Sequence, residues 1–485
     1  MSEAPRRVHF VAIAGSGMGS LAGLLRARGV HVTGSDDQLY PPMSTLLETW
    51  GIPVHHSFRP EHVLDAEPDL VVIGNAVRPD NPEARAAIDE GLPYRSFSDA
   101  LYELAIAGKH SVVLSGTHGK TTTTSLVAFL LHATGRDPSM LVGGHALDFG
   151  GSFREGEGLH FAVEGDEYDT AFFDKTPKFL HYHPRTLAIT SVEFDHADIY
   201  RDLDHVKQAF RTLVARMPAD GAIVAALDYP DVRDVVDAAP CRVVGYGAGE
   251  RDGAAGWRAA ELDAGPEGTH FDVLRDGALL ARAHTPMHGR FNVENCLAAL
   301  AVLDVLGVPP DEALAAMPRF GGVKRRLELR GVAEGVNVLD DFAHHPTAVA
   351  ASIGAARARF PGRRLIAVFE PRTNTSRRRV FQQRYAEVFD GADRVVVRSV
   401  PDRPIYSATG AVTERLSAPQ LADALNARGT PAVALDEVDA IVERVTGEAQ
   451  PGDVVLVMSN GDFEGIWEKL LAALQRGRAA GTSPT

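Results

Sequence analysis

The 485-residue chain contains little cysteine and no excess of positive charge, and both shortages exclude classes of protein. Its two cysteines, Cys241 and Cys296, form no C-x-x-C pair, so neither a disulfide framework nor a cysteine-ligated zinc site is expected. The formal net charge of -15 argues against a nucleic-acid surface and leaves basic residues to hold small anions locally. We therefore predict no nucleic-acid partner.

Long apolar runs and common catalytic motifs are also missing. No stretch of about 18 apolar residues offers a membrane span, and no signal peptide with a cleavage segment is evident. We therefore predict a cytoplasmic protein without a membrane partner. No G-x-S-x-G, H-E-x-x-H or catalytic-cysteine signature occurs, which leaves the substrate to supply the nucleophile. The sequence does not indicate an oligomeric state.

The dominant pattern is an alternation of short apolar strands with helical segments, which is typical of α/β domains with parallel sheets. At about 100 to 200 residues per domain, the length predicts three domains, which we place at residues 1–108, 109–327 and 328–485. The first and third are expected to be Rossmann-like. The middle one is expected to be P-loop ATPase-like with a mixed sheet, because Asp276-Gly277 indicates an antiparallel hairpin. The tail from Arg476 is predicted to be disordered.

A glycine-containing turn between an apolar strand and a helical segment predicts a phosphate-binding loop. The loop consists of Gly116, Thr117, His118, Gly119, Lys120, Thr121 and Thr122. Its glycines let backbone N–H groups point at phosphate oxygens, while Lys120 can reach phosphate and Thr121 can reach Mg²⁺. The alternative is an ordinary turn from strand to helix.

A second glycine-rich turn follows the first predicted strand. It consists of Gly15, Ser16, Gly17, Met18 and Gly19, and the next strand closes with Ser35 and Asp36. Ser20 occupies the last glycine position of G-x-G-x-x-G, so the dinucleotide pattern is incomplete and any diphosphate ligand is compatible with it. A dinucleotide-binding oxidoreductase or a nucleotide sensor is the alternative function that this turn leaves open.

Two acidic segments follow predicted strands beyond the phosphate loop. In residues 164–169, Glu164 is placed to share Mg²⁺ with Thr121, since magnesium takes one or two carboxylates beside phosphate oxygens. A solvated acidic loop is the alternative. In residues 193–198, His196 can ligate a divalent metal or contact a reacting carboxylate, and the alternative is a histidine that only caps the loop.

The third domain offers polar residues where its first predicted strand ends. The carboxylates of Asp340 and Asp341 can bond ribose hydroxyls, and His344 can approach phosphates. The alternative is a helix N-terminus capped by aspartate, with exposed histidines. At the preceding boundary, a basic run that includes Arg326 can neutralise a transferring phosphoryl group, although such runs are often solvated linkers.

Together with Asn292-x-x-Asn295, these motifs resemble those of the Mur ligases of bacterial cell-wall synthesis, and the resemblance extends through all three predicted domains. Within that family the chain is most similar to members that add a tripeptide during peptidoglycan recycling, through segments such as residues 370–375 and 458–461. The resemblance implies an ATP- and Mg²⁺-dependent ligase that joins L-Ala-γ-D-Glu-meso-diaminopimelate to UDP-N-acetylmuramate through an acyl phosphate. The alternative within the family is an L-alanine-adding ligase.

The resemblance also implies a role for each candidate residue. The first glycine turn, with Ser35 and Asp36, would hold UDP-N-acetylmuramate, and the phosphate loop would hold the phosphates of ATP. The other ATP contacts would be Asn292, Asn295, Arg326, Asp340 and Asp341. The metal ligands would be Thr121, Glu164 and His196. The catalytic residues would be Lys120, Glu164, His196, Arg326 and His344. The peptide-binding residues would be Arg372, Asn374, Thr375, Ser459 and Asn460.

The sequence departs from its relatives at three positions. Several Mur ligases carry a carbamylated lysine that bridges a metal, but Phe210 occupies the position aligned with it and Lys207 is out of register, so we predict no carbamate. Phe291 replaces a histidine common in relatives, which removes one polar contact on the adenine side. Asp462 replaces a glycine and adds a negative charge beside the expected peptide site.

Overall fold

The computed structural model describes residues 5–40, 43–249, 256–401, 404, 405, 408, 410, 412 and 414–479. It contains three sheets, which succeed one another along the chain, and the α/β fold class is confirmed. The proposed domain limits after residues 108 and 327 lie in the connections between these sheets. Within the part of the chain described, no helix is both long enough and apolar enough to cross a bilayer.

The first sheet has five parallel strands in the order β3-β2-β1-β4-β5. Its strands are β1 (Arg7–Val11), β2 (His31–Ser35), β3 (Val54–His55), β4 (Leu70–Ile73) and β5 (Tyr94–Ser96). The helices are α1 (Ser16–Ala27), α2 (Met43–Thr49), α3 (Pro60–Asp65), α4 (Pro82–Asp89) and α5 (Phe97–Leu101). The first glycine turn therefore lies between β1 and α1, at the carboxyl edge of a parallel sheet, where such folds bind ligands.

The second sheet has ten strands in the order β15-β14-β13-β12-β11-β10-β6-β9-β7-β8. In chain order these are β6 (His110–Ser115), β7 (Ser139–Ala146), β8 (Gly151–Arg154), β9 (His160–Gly165), β10 (Thr186–Ile189), β11 (Ala222–Ala226), β12 (Arg242–Gly247), β13 (Trp257–Gly265), β14 (Gly268–Arg275) and β15 (Ala278–Thr285). The helices are α6 (Lys120–Ala133), α7 (Leu203–Ala215), α8 (Pro230–Val236), α9 (Arg290–Val305) and α10 (Pro310–Ala316). The predicted mixed sheet and its Asp276-Gly277 hairpin are confirmed, because β14 and β15 pair antiparallel on either side of that turn.

The third sheet has six strands in the order β16-β17-β21-β18-β19-β20, and only its edge strand β16 is antiparallel to its neighbour. Its strands are β16 (Glu328–Ala333), β17 (Val336–Asp341), β18 (Leu365–Phe369), β19 (Arg394–Arg398), β20 (Ala432–Leu435) and β21 (Val454–Met458). The helices are α11 (Pro346–Arg359), α12 (Gln382–Val388), α13 (Ala418–Ala427), α14 (Val438–Glu448) and α15 (Ile466–Ala479). The prediction of a disordered tail from Arg476 is wrong as far as Ala479, because α15 continues through these residues; residues 480–485 lie outside the described part.

Burial follows the pattern of the sequence. The strands β4, β11, β18 and β21 are buried at every residue, as expected for parallel strands covered on both faces. Helix α9 is buried continuously from Val293 to Leu303 and packs against α6, the helix that follows the phosphate loop. A helix that is apolar on all sides belongs in a core. The phosphate loop therefore rests on a rigid base.

Candidate active site

The phosphate loop requires its two glycines for conformational and steric reasons. Gly116 has a φ of +136° and Gly119 a φ of +82°, a backbone region that other residues rarely adopt. A Cβ atom on Gly116 would lie 2.1 Å from Thr190 Oγ1, and one on Gly119 would lie 2.6 Å from Asn295 Oδ1. The loop leads directly into the 14-residue helix α6, whose N-terminal N–H groups favour an anion. The geometry is that of a phosphate cradle.

Lys120 is held in this loop by its own backbone and by a buried glutamate. Its Nζ atom donates to the carbonyl oxygen of Gly116 at 2.7 Å and to Glu167 Oε2 at 2.8 Å. Burial alone would lower the pKa of Lys120, but Glu167 and Asp166 raise it overall, so the ammonium stays charged. A fixed cation therefore lies where a phosphate would bind.

Glu167 links this lysine to His196. The Oε1 atom of Glu167 lies 3.2 Å from His196 Nε2, and the hydroxyl of Tyr200 donates to the backbone oxygen of Glu167 at 2.7 Å. Burial opposes protonation of His196, but Asp195 and Glu167 raise its pKa to about 9. Glu167 belongs to the acidic segment 164–169, and its role could not be predicted because nothing in that segment of sequence indicates which carboxylate turns inward.

Glu164 and Thr121 form a pair of oxygen donors beside the loop. The hydroxyl of Thr121 donates to Glu164 Oε2 at 2.8 Å, and the N–H of Gly143 donates to Glu164 Oε1. Burial raises the pKa of Glu164 despite these bonds, which means that the carboxylate lacks a sufficient counter-charge. A divalent cation would supply that charge, and the donor chemistry suits Mg²⁺.

The third predicted metal residue, His196, belongs to a separate group. One ligand atom each of Asp166, Glu167 and His196 lies within 4.8 Å of the others. Thr121 and Glu164 therefore form one candidate cation position, and His196 with its two acidic neighbours forms another. The assignment of these residues to metals stays a prediction.

The two predicted adenine residues lie against the phosphate loop. The Nδ2 atom of Asn295 donates to Asn292 Oδ1 at 3.0 Å, and Thr123 donates to Asn295 Oδ1 at 3.1 Å. Asn292 Nδ2 in turn donates to the carbonyl oxygen of His288 at 2.9 Å. The bond from Thr123 joins α9 to α6, and the bond between the two asparagines links Asn292 to it, so a nucleotide on the loop would be near both amides. Their contact with adenine stays a prediction.

Residues 193–197, a loop of the middle domain, form hydrogen bonds and an ion pair with the third domain. Glu193 Oε2 accepts a hydrogen bond from Thr347 Oγ1 at 2.7 Å, and His344 Nε2 lies 3.4 Å from Asp195 Oδ2. The N–H of Ala197 donates to Thr375 Oγ1 at 3.0 Å. The predicted residues His344 and Thr375 of the third domain are thus brought beside residues 193–197 of the middle domain.

Glu193 is a second residue that the sequence analysis did not single out. Its N–H donates to Thr117 Oγ1 at 2.8 Å, and its Oε1 atom lies 3.6 Å from His118 Nε2. Burial lowers the pKa of His118 to about 3, so this histidine is neutral. Glu193 therefore connects the phosphate loop with the third domain. No local signal reveals such a role, because it depends on a contact between residues 154 positions apart.

The basic run at the domain boundary divides into two roles. Arg325 has Nε 3.2 Å from Asp340 Oδ2 and donates through Nη2 to two backbone carbonyls of the third domain. Arg326 stacks over Phe342 at 5.2 Å and, within the described residues, forms no hydrogen bond or ion pair. Burial lowers the pKa of Arg326, while Asp341 and Glu164 oppose that shift. Of the two arginines in this run, Arg326 is therefore the one whose guanidinium is available to a phosphoryl group.

Asp340 and Asp341 are buried and bonded within the protein. Asp340 pairs with Arg325, although burial raises its pKa to about 7. Asp341 accepts hydrogen bonds from the N–H of Leu327 at 2.8 Å and from Ser352 Oγ at 2.9 Å. These bonds give both carboxylates a structural role at the end of β17. Their predicted contact with ribose stays a prediction.

The first glycine turn is closed by Asp36. Its Oδ2 atom accepts the N–H of Ala14 at 2.8 Å, while Ser35, the last residue of β2, is fully buried. A Cβ atom on Gly19 would lie 2.2 Å from Met43 Sδ, which accounts for glycine there. The predicted turn residues 15–19 therefore lie together between β1 and α1, with Ser16 exposed and Met18 buried.

Ser20, which breaks the dinucleotide pattern, has a structural explanation. Its Oγ atom lies 2.6 Å from Ser152 Oγ on β8, so it joins the first helix to the middle sheet. Arg28, directly after the end of α1, forms an ion pair with Glu155 at 2.8 Å. The departure from G-x-G-x-x-G thus marks contact between two domains.

The predicted peptide residues lie at the carboxyl ends of β18 and β21, which are neighbours in the third sheet. Arg372 Nη1 lies 2.8 Å from Asp462 Oδ1, and Ser459 Oγ donates to Glu370 Oε2 at 2.5 Å. The Oδ1 atom of Asn460 is buried without a hydrogen-bond partner among the described residues. Asn374 accepts a hydrogen bond from Arg377. Four of the five predicted residues therefore form one edge, and Thr375 faces the middle domain.

The predicted absence of a lysine carbamate has a physical reason. Phe210 is fully buried and packs against Phe179, and Lys207 pairs with Asp231 at 2.6 Å and Asp234 at 3.0 Å. The hydrogen bonds that Lys207 donates to these carboxylates raise its pKa, whereas carbamylation needs a neutral amine. We expect peptide mass spectrometry under CO₂-saturated conditions to find Lys207 unmodified. A carboxylated Lys207 would contradict this expectation.

Comparison with known proteins identifies a family for most of the chain. Residues 7–109 match the Mur ligase family catalytic domain, residues 114–303 the Mur ligase middle domain and residues 325–461 the Mur ligase glutamate ligase domain. The chain is 39% identical to the UDP-N-acetylmuramate--L-alanyl-gamma-D-glutamyl-meso-2,6-diaminoheptandioate ligase of Escherichia coli K12, over 97% of this chain and 98% of that protein. It is 34% identical to the UDP-N-acetylmuramate--L-alanine ligase of Caldanaerobacter subterraneus, over 96% and 97%. The crystal structure of a murein peptide ligase from Psychrobacter arcticus matches with a TM-score of 0.72 and 33% identity, over 97% and 99%.

Proposed function

This chain belongs to the Mur ligase family, and we propose that it is the ATP-dependent ligase that joins L-alanyl-γ-D-glutamyl-meso-diaminopimelate to UDP-N-acetylmuramate. We propose the tripeptide as the acceptor because the chain is 39% identical to the tripeptide-adding ligase of Escherichia coli over 97% of its length. The L-alanine-adding ligase is the second candidate, supported by 34% identity. The oxidoreductase or nucleotide-sensor alternative is wrong, because the glycine turn belongs to the first domain of a ligase.

The division of labour follows the three sheets. We propose that residues 1–108 hold the UDP-sugar at the turn from Gly15 to Gly19, that residues 109–327 bind ATP, and that residues 328–485 bind the peptide. The substrates are a nucleotide sugar and a short peptide, so we propose a cytoplasmic enzyme that acts without a nucleic-acid or membrane partner. The same reaction class serves the recycling of cell-wall fragments.

The chemistry begins with a carboxylate, which is a poor electrophile until it is activated. The lactyl carboxylate of UDP-N-acetylmuramate attacks the γ-phosphate of ATP and forms an acyl phosphate and ADP. The free α-amine of the peptide then attacks the acyl carbonyl, and the tetrahedral adduct loses inorganic phosphate to give the amide. Mg²⁺, held by Thr121 and Glu164 and, at a second position, by His196, would neutralise charge on the phosphates.

The side chains contribute positioning and charge rather than a covalent nucleophile. Lys120 and Arg326 place positive charge beside the transferring phosphoryl group, where charge stabilisation has the largest effect. His344 is held at the same place by Asp195. Contact between residues 193–197 and the third domain holds that domain beside the phosphate loop, where it would help to keep water from the acyl phosphate, which would otherwise hydrolyse.

A substrate comparison tests the proposal directly. Purified protein with ATP, Mg²⁺ and UDP-N-acetylmuramate is expected to release phosphate when the tripeptide is added and to show little response to L-alanine. The tripeptide without UDP-N-acetylmuramate is the control for uncoupled ATP hydrolysis. Stimulation by L-alanine but not by the tripeptide would establish the second candidate instead, and no ADP with either acceptor would refute both.

A further inference from the structure

An exposed ion pair lies at the edge where the peptide is proposed to bind. Arg372 follows β18 and Asp462 follows β21, and their Nη1 and Oδ1 atoms are 2.8 Å apart. The side chains are 48% and 77% exposed, so both charges face solvent. The hydrogen bond from Arg372 holds the pKa of Asp462 below its usual range. Asp462 is therefore charged at neutral pH.

The backbone beneath this pair is fixed from both sides. Arg325 donates to the carbonyl oxygens of Ser459 at 2.7 Å and Gly461 at 2.6 Å. A Cβ atom on Gly461 would lie 1.9 Å from Arg372 Nη1, so the guanidinium in this position lies directly against the backbone of Gly461. The two charges are thus presented by a defined surface and not by two mobile loops.

Exposed ion pairs contribute little to stability, because water and salt screen them and both side chains lose freedom. A ligand that offers a carboxylate to Arg372 and an ammonium group to Asp462 can therefore separate the pair and replace both interactions. The edge is complementary to a zwitterion.

We propose that Arg372 and Asp462 together bind the distal amino-acid group of the third peptide residue, and that they select diaminopimelate over lysine. The inference rests on the proposed function. Diaminopimelate ends in both a carboxylate and an ammonium group, whereas lysine ends in an ammonium group alone. A lysine peptide would leave Arg372 without a carboxylate from the ligand, and a 2-aminopimelate peptide would leave Asp462 without a cation.

Three tripeptides that differ only in the third residue test this proposal. They carry meso-diaminopimelate, L-lysine or L-2-aminopimelate, and kcat and KM are measured for each with wild type, Asp462→Asn and Arg372→Gln. For wild type we expect the highest kcat/KM with diaminopimelate. We expect Asp462→Asn to raise KM at least about fivefold for the two peptides with a distal ammonium group, and to leave the aminopimelate peptide within about twofold.

Arg372→Gln is expected to give the complementary pattern. It should raise KM at least about fivefold for the diaminopimelate and aminopimelate peptides and leave the lysine peptide within about twofold. A collapsed loop would affect all three peptides equally, so this crossed dependence separates recognition from structural damage. Asp439→Asn is the matched control, since Asp439 forms an ion pair of the same length, 2.8 Å, with Lys469 on another face. It should leave all three KM values unchanged.

The proposal is refuted if Asp462→Asn shifts all three peptides alike, or shifts none, while wild type still ligates the diaminopimelate peptide. Failure of the proposed function has a different signature. In that case wild type forms ADP with none of the three peptides, or only with L-alanine, and the variants leave these results unchanged.

Discussion

Replacement of Lys120 by alanine is expected to lower kcat at least about 100-fold. The Nζ atom of Lys120 is bound to the carbonyl oxygen of Gly116 in the phosphate loop, so its charge lies where the γ-phosphate is proposed to react. Phosphoryl transfer offers a protein little covalent chemistry, and most of the acceleration comes from position and charge. Loss of this cation therefore raises the barrier to acyl-phosphate formation. Steady-state ADP formation at saturating tripeptide measures the effect.

Lys207→Ala provides a closely matched control for this variant. The side chains of Lys120 and Lys207 are 15% and 14% exposed, and each pairs with carboxylates of the middle domain. Because Lys207 lies away from the phosphate loop and is expected to be unmodified, its replacement should change kcat by no more than about twofold. If Lys120→Ala retains wild-type turnover, the assigned role of Lys120 is wrong.

A second variant separates chemistry from folding. Lys120→Ala removes one of the two cations beside buried Glu167, and a buried charge that loses an ion-pair partner destabilises a protein even though His196 stays beside it. Adding Glu167→Gln removes that charge. We expect the double variant to recover much of the lost thermal stability and none of the lost turnover, because the cation is still missing.

Much of the fold could be predicted from the sequence, because its signals are local. Alternating strands and helices gave the class, and Asp276-Gly277 marked the hairpin between β14 and β15. The phosphate loop was recognisable because two glycines, a lysine and a threonine stand at a fixed spacing between a strand and a helix. The tail was misjudged because α15 is stabilised by packing of residues such as Trp467 and Leu470 against the third sheet. Tertiary packing of this kind leaves no local sign.

The site was less accessible to sequence reasoning, because its decisive contacts join distant segments. Glu167 binds Lys120 across 47 positions, and Glu193 bonds Thr347 across 154. Ser20 is a further example: in the sequence it only interrupts a dinucleotide-binding pattern, whereas in the structure its hydroxyl contacts that of Ser152, which is 132 positions away. Asp462 likewise seemed only to add a negative charge to the peptide site, whereas its carboxylate forms an ion pair with Arg372. In each case the residue type was visible and its partner was not.

Glu164→Ala is the second variant with a large expected effect, a loss of at least about 100-fold in kcat. Glu164 and Thr121 place two oxygens 2.8 Å apart beside the phosphate loop, and the buried carboxylate lacks a counter-charge in the protein alone. A cation bound there would offset the negative charge of the triphosphate. Without it, repulsion between the γ-phosphate and the attacking carboxylate would raise the barrier to acyl-phosphate formation. ADP formation across a Mg²⁺ titration measures the loss.

Glu164→Gln isolates the charge, because glutamine keeps the shape: its amide oxygen can accept the N–H of Gly143 and its NH₂ can donate to the Thr121 hydroxyl, which can rotate to accept. Burial raises the pKa of Glu164, so the ionised carboxylate is unfavourable in the folded protein without a cation, and its removal is expected to leave Tm equal or higher. The same variant should need more Mg²⁺ for half-maximal activity and should bind Mn²⁺ more weakly by electron paramagnetic resonance. Glu83→Gln is the control for a buried glutamate elsewhere, since Glu83 is bonded by His62 in the first domain and lies outside the proposed metal positions. A Glu164→Gln protein with wild-type turnover and wild-type Mn²⁺ affinity would remove Glu164 from the metal site and leave His196 with Asp166 and Glu167 as the remaining candidate.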